Sequence, residues 1–337
     1  MEPKMDTRQL GLTGPVVSKL GLGAVAMSDL YGHLRDDDES VATLGAAVDA
    51  GVTLLDTGDF YGSGHNEMLI EQALRGRRRE EVTISVKFGA RRDPAGGWQS
   101  VGVDTGAVAV KDRLAYTLQR LRTEYVDIYR PTRVNPEIPV EETVGAIAEM
   151  VQAGYVRYIG LSEVGAETLR RAAAEHPISD LQIEYSLLSR GIEEEILPTA
   201  RELGIGITAY GVLSRGLLSG HWRGRQVSDN DFRSQLPRFQ GANLEENLKL
   251  VDALGEVAER IGATVGQAAI AWVAAQGDDI VPVIGARNRR QLSESLAAAS
   301  LVLTADDLAA IEAAIPAGAA AGERYPTPQM TQLDSER

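Results

Sequence analysis

The sequence predicts an α/β fold, a parallel (β/α)8 TIM barrel with an N-terminal β-hairpin and extra C-terminal helices. Three observations carry this. Eight short apolar runs of buried-strand type alternate with helix-length segments. The alternation keeps an even beat along the chain. A short hairpin pattern precedes the first run, placed to plug the bottom of a barrel. An open doubly wound sheet would alternate in the same way; the hairpin and the count of eight favour the barrel. A chain of 337 residues can form this as one domain over 1–337, with ample core.

In order, Thr7 to Leu10, a Gly11–Gly14 turn and Val16 to Ser18 make the hairpin, and Leu20 to Gly23 the first barrel strand. The run Gly21-Leu22-Gly23-Ala24-Val25-Ala26 matches G-x-G-x-x-A, but the dinucleotide motif requires a helix opening directly on the glycines. Here the loop Ser28-Asp29-Leu30-Tyr31-Gly32 intervenes. The run reads instead as a small-residue strand mouth where a ligand can approach backbone, with Ala24 a candidate contact. A helix from Asp37 to Ala50 stops at Gly51, and Val52 to Asp56 is the second strand. A helix from Asn66 to Leu74 leads past the solvated turn Arg77-Arg78-Arg79-Glu80-Glu81 to the strand Val82 to Lys87. Phe88 to Asp104 is a long Gly-, Pro- and Arg-containing loop, with Trp98 either lining a pocket or anchoring the loop. Helix Ala107 to Leu121, strand Tyr125 to Tyr129, helix Val140 to Ala153, strand Val156 to Leu161 and helix Ala166 to Ala174 continue the beat. Strand Leu181 to Glu184, helix Ile192 to Leu203 and strand Ile205 to Tyr210 follow. A long segment from Gly211 to Ala242 precedes helices Leu244 to Ile261 and Val265 to Gln276. The last strand is Ile280 to Ile284, then helix Arg289 to Ala299 and a closing helix capped by Thr304 with Asp307 three residues on. The tail, 316–337, is small, polar and Pro-containing, and is expected to be ordered only in part.

Composition excludes several classes. A net charge of −14 argues against a nucleic-acid partner. Without cysteine there is neither a disulfide framework nor a thiolate metal site, and no metal is expected. The start lacks a signal-peptide core and no apolar run approaches membrane-spanning length, so a cytoplasmic protein without membrane attachment is expected.

If the second and third runs are neighbouring strands of a barrel, Asp56, Tyr61 and Lys87 meet at the C-terminal rim, where catalytic groups of such barrels sit. A lysine beside a phenol lowers its pKa and makes the tyrosine a usable acid. Aspartate keeps the amine charged and oriented. Other strand ends offer Ser162, Gln182 and Tyr210: a flat ring on which a planar ligand can stack, and hydrogen-bonding groups that match an amide. The last strand leads into Gly285-Ala286-Arg287-Asn288-Arg289-Arg290-Gln291 and then Glu294-Ser295. Arginines at a helix N-terminus, where positive charge opposes the helix dipole, mark an anion site suited to a phosphomonoester.

The stretch Asp56-Thr57-Gly58-Asp59-Phe60-Tyr61-Gly62, with Asn66-Glu67 opening a helix and Lys87 ending the next strand, resembles the signature of the aldo-keto reductases. The resemblance extends from about Thr7 to about Ile315. It implies hydride transfer between NADPH/NADP+ and an aldehyde or ketone, reversibly, with Tyr61 as acid and with Asp56 and Lys87 supporting it. It also implies that Gly211, Leu213, Arg215 and Gly216 grip the pyrophosphate. Gly285, Arg287 and Gln291 would contact the 2′-phosphate end, and Glu294 the adenine; Ser295 replaces the usual Asn there. Glu163 similarly replaces the usual Asn after Ser162. The departure nearest the chemistry is Thr132, which stands where the family carries a histidine in a pattern like Tyr-x-x-His-Arg. A threonine can donate one hydrogen bond, but losing an oriented donor to an oxyanion costs roughly two to three powers of ten in rate. Arg130, on the same strand face, is one electrostatic substitute; His65 is the histidine nearest the chemistry.

A small-molecule carbonyl or alcohol substrate is expected, with the protein a monomer or homo-oligomer. Thr132 motivates an alternative, an NADP(H)-binding regulatory or redox-sensing protein with weak turnover, although a pure binder has no need of the Asp-Tyr-Lys set. A Schiff-base barrel using Lys87 is disfavoured because Asp56 keeps the amine charged.

Overall fold

The computed structural model describes residues 5–28, 30–32, 35–93, 100–224, 227–229 and 231–337. Thr7–Gln9 (β1) and Val16–Ser18 (β2) pair antiparallel, followed by Gly21–Gly23 (β3), Leu54–Gly58 (β4) and Thr83–Phe88 (β5). Ala90–Arg92 (β6) and Ser100–Val103 (β7) form a second antiparallel pair. Val126–Pro131 (β8), Val156–Ser162 (β9), Ile178–Glu184 (β10), Gly206–Tyr210 (β11) and Ile280–Gly285 (β12) complete the strands. The barrel closes in the order β3-β4-β5-β8-β9-β10-β11-β12, each strand parallel to its neighbours, with β12 returning to β3. Each parallel crossover is made by a helix on the outside, which explains why the strands read as continuous apolar runs: both faces are covered. The (β/α)8 expectation is met.

The hairpin plugs the barrel floor. Leu10 and Val17 are fully buried and cluster with Leu54, Ile128, Val281 and Val283 from the strand interiors. Gly11 sits at φ +60, and a Cβ there would lie 2.6 Å from the carbonyls of Gly204 and Ser179, so the tip of the plug must be glycine.

Above this floor lies a polar layer. Arg130 is fully buried; its guanidinium donates to Asp180 at 2.8 Å, to Thr208 Oγ1 at 3.1 Å and to Ser85 Oγ at 2.9 Å. Its hydrogen bonds therefore serve the interior rather than the substrate side. The strand alternation that puts Arg130 and Thr132 on one face also puts them a layer apart along the barrel axis.

Two segments differ from expectation. The long loop after Lys87 is partly a ladder, Ala90 opposite Val103 and Arg92 opposite Ser100, which Gly89 starts at φ +102; Trp98 lies outside the described residues. The helix expected from Ile192 divides into a 3-10 turn at Gly191–Glu193 and an α-helix at Ile196–Glu202. Pro198 has no N–H to donate and is tolerated only in a first turn, so the helix restarts just before it. The Thr304–Asp307 capping box forms as read. No helix among the described residues is long and apolar enough to cross a membrane.

Removing one partner of the buried Arg130–Asp180 pair strands a charge in the barrel interior. Asp180→Ala is expected to cost about 3–5 kcal/mol, measured by urea unfolding.

Candidate active site

The turn after β4 is built from unusual backbone. Gly62, Ser63 and Gly64 lie at φ +57, +56 and +96, and a Cβ at Gly64 would come within 2.6 Å of Arg120. This tight left-handed run lifts Tyr61 to the rim. Asn66 and Glu67, which open the next helix (His65–Leu74), are buried anchors rather than ligands. Asn66 accepts from Thr57 Oγ1 at 2.7 Å and donates to the Ala24 carbonyl at 2.9 Å and to Ser28 Oγ at 2.8 Å, while Glu67 holds Arg120. His65 bridges Ser28 and Asp37 away from the cavity; His33 lies outside the described residues.

Asp56 collects three donors: the Lys87 ammonium in a short contact, Ser85 Oγ at 3.0 Å and Gln182 Nε2 at 2.8 Å. Burial pulls the Lys87 ammonium below its ordinary pKa, and Asp56 opposes that pull. Lys87 Nζ lies over the Tyr61 ring, 5.1 Å from its centroid. The lowering of the Tyr61 pKa expected from this lysine does not occur. Burial and then the Asp56 charge hold the phenol well above its usual value, while the lysine is committed to Asp56. Tyr61 thus keeps its proton through the ordinary pH range.

One cavity of about 650 Å³ brings together Asp56, Tyr61, Lys87, Thr132, Ser162, Gln182 and Tyr210. Gly211, Leu213, Arg215 and Gly216 line it too, as do Gly285, Arg287, Gln291, Glu294 and Ser295. Ala24 is the exception. It is fully buried, and its amide donates to the Asp56 carbonyl at 2.9 Å while its own carbonyl accepts from Asn66; Gly23 and Val25 line the mouth instead. Thr132 has its amide bonded to the Phe88 carbonyl, and its hydroxyl makes no hydrogen bond among the described residues. Ser162 Oγ is buried without a partner. A Cβ at Gly285 would meet nothing, so that rim is open.

The loop after β11 places Ser214, Arg215 and Gly216 in left-handed backbone at φ +45, +56 and +95. The Arg215 guanidinium donates to Glu184 at 3.0 Å and to the Tyr325 hydroxyl at 2.6 Å, so its charge is matched. At the other end, Asn288 caps the helix Arg289–Leu296 by accepting from the Gln291 amide at 2.9 Å. Arg289 turns away to Glu39, whereas Arg287 and Arg290 face the cavity without a salt bridge among the described residues. Burial, with Arg233 and Arg290 nearby, lowers the Arg287 pKa.

Sequence reading missed Arg133, Tyr31 and Tyr325, all in the lining. Arg133 adjoins Thr132 and was visible; Tyr325 lies in a tail with no periodicity to reveal it. Glu163, fully buried at φ +54, accepts two bonds from Arg324 at 3.0 and 2.6 Å, one from the Tyr210 hydroxyl at 2.7 Å and one from Ser335 at 2.8 Å. Burial would raise this carboxyl; Arg324, Arg133 and Tyr210 outweigh it and hold it below the usual range. The tail, expected to be ordered only in part, supplies Arg324 and Tyr325 to this wall.

A model of the "Aldo/keto reductase family" matches residues 19–316. The chain belongs to the aldo/keto reductase family. Such membership makes it an oxidoreductase. It is 39% identical to the probable aldo-keto reductase 1 of Glycine max over 317 residues, 94% of this chain and 91% of that protein. Among solved structures it resembles the glycerol dehydrogenase of Gluconobacter oxydans, with TM-score 0.83 and 29% identity over 92% of this chain and 94% of that one. It also resembles the holo form of an aldo-keto reductase from Bacillus halodurans, with TM-score 0.78 and 26% identity over 93% and 97%.

Asp59, two residues before Tyr61, is buried against Arg113 at 2.9 Å, and burial raises its pKa from 3.8 to about 6 despite that partner. A folded value above the unfolded one means that Asp59 costs stability at pH 7, a cost relieved as pH falls through 6 toward 4. Comparing wild type with Asp59→Asn by urea unfolding, the stability difference should move by about 1 kcal/mol in favour of wild type between pH 7 and pH 5.

Proposed function

We propose that this chain is an NADP(H)-dependent carbonyl reductase that also runs in the direction of alcohol oxidation. The observation that carries the reading is the convergence of Tyr61, Lys87 and Asp56 in one cavity with Ser162, Gln182 and Tyr210. The residues fit the coenzyme. Ser162 Oγ is an unsatisfied buried group where a carboxamide needs a partner, and Tyr210 offers its ring at the end of β11. Arg287 and Arg290, without counter-ions among the described residues, suit the 2′-phosphate of NADP, which favours NADPH over NADH. When bound, the nicotinamide supplies the hydride that reduces a carbonyl carbon.

The protein's own part is the proton and the charge. Tyr61 donates its phenolic proton to the carbonyl oxygen as that oxygen gains charge. A developing alkoxide is a stronger base than a phenolate, so a raised Tyr61 pKa still permits the transfer. The Lys87 ammonium, held by Asp56, supplies positive charge over the Tyr61 ring as the phenolate forms. Gln182 and Ser85 hold Asp56 in turn, and the Thr132 hydroxyl offers the oxygen one more donor. In the reverse direction the same groups accept the proton. The glycerol dehydrogenase neighbour supports a small polar alcohol as one substrate type for that direction.

With NADPH and 4-nitrobenzaldehyde, wild type should turn over and Tyr61→Phe should lose at least about a hundredfold in kcat. Equal, slow turnover in both, with coenzyme still bound, would instead favour the binding-protein reading that Thr132 motivates. Arg287→Ala should raise the Kd for NADPH by roughly tenfold or more while moving that for NADH little, as read by quenching of protein fluorescence.

A further inference from the structure

The cations at the cavity do not share one fate. Arg215 is held by Glu184, and Arg233 by Asp231. Arg324, behind the wall, is held by Glu163. Arg287 and Arg290 belong to the helix after β12, the end assigned above to a phosphate. Arg133 remains. It follows Thr132 at the end of β8, lines the cavity at its catalytic end, and has no salt bridge among the described residues. Its only hydrogen bond there is from Nη1 to the neighbouring Thr132 carbonyl at 2.6 Å, which leaves most of its donors without a protein acceptor. Its charge is felt at both Tyr61 and Lys87. Glu163, a carboxylate whose charge acts on it, already takes two bonds from Arg324.

A half-buried guanidinium whose donors reach no carboxylate keeps its hydrogen-bonding capacity for something else, whereas Arg130, Arg215, Arg233 and Arg324 are each ion-paired. Such a group in a ligand cavity suits an anion that arrives with the ligand. We propose that Arg133 binds an anionic group, a carboxylate or a phosphate, carried by the carbonyl substrate itself, so that the favoured substrates are oxo-acids or phosphorylated aldehydes and ketones. The inference rests on the carbonyl-reductase reading above and adds the substrate class. Tyr31, Phe60, Phe232 and Tyr325 line the same space and leave room for a short carbon chain or a ring between carbonyl and anion. The net charge of −14 works against anionic substrates at long range, so a preference for them has to arise locally.

The test compares matched pairs at saturating NADPH: the 2-, 3- and 4-carboxybenzaldehydes and succinic semialdehyde, each against its methyl ester, and glyceraldehyde 3-phosphate against glyceraldehyde. Wild type should favour at least one anionic member by roughly ten- to hundredfold in kcat/KM. The pair that shows it separates carboxylate from phosphate recognition. In Arg133→Met that ratio should fall to about one through KM, whereas Arg133→Lys should retain part of it. A wild-type ratio at or below one in every pair, with the esters and glyceraldehyde turned over, overturns the inference and leaves the reductase reading intact. So does an equal loss on both members of each pair in Arg133→Met. Absence of turnover on every compound, with NADPH bound, overturns both.

Discussion

The structure depends on one buried carboxylate. Asp56 has almost no contact with water and would be intolerable there without compensation. Its compensation comes from Lys87 and Ser85 on the neighbouring β5 and from Gln182 on β10, across the barrel. Ser85 also accepts from Arg130, which is tied to Asp180 and Thr208, so β4, β5, β8, β10 and β11 share one polar network. The barrel must close in its correct register for this charge to be satisfied. The same closure places the Lys87 ammonium over the Tyr61 ring. Stability of the interior and geometry of the reaction therefore have a common cause.

A second network governs the mouth. Glu163 and Glu184 sit at the ends of β9 and β10, and are matched by Arg324 from the tail and by Arg215 from the loop after β11. Tyr210 donates its hydroxyl to Glu163, which orients its ring. Glu163, which follows Ser162, is thus a structural partner for the tail. Matching most charges so closely gives meaning to those left over: Arg287 and Arg290 at one end of the cavity, Arg133 at the other.

In the reaction proposed above, Thr132 would bear on the distribution of work at the reacting oxygen. A histidine there would present a stronger donor than a hydroxyl. With threonine, the charge that develops on the oxygen in that proposed reaction would fall mainly to Tyr61 and to the fixed cations around it. Arg130 is not among them at close range, because both terminal nitrogens of its guanidinium are bonded one layer below, to Asp180, Thr208 and Ser85.

Much of this was legible in the sequence, and for identifiable reasons. Strand and helix follow local patterning, so the eight-fold alternation, the hairpin and the capped closing helix could be read directly. Asp56, Tyr61 and Lys87 sit beside glycines and strand ends, where local sequence already implies the rim of a barrel. What the tertiary structure alone decided are the partnerships. Whether a cation is spent or available depends on residues far away in the chain: Arg215 is spent on Glu184, Arg324 on Glu163 and Arg130 on Asp180, while Arg133, Arg287 and Arg290 face the cavity without such partners among the described residues. The protonation of Tyr61 is set by burial, which no neighbouring residue in sequence reports. Sequence determined which groups reach the rim, because backbone periodicity is local. Folding determined which of them keep a free charge, because burial and ion pairing are properties of the assembled interior.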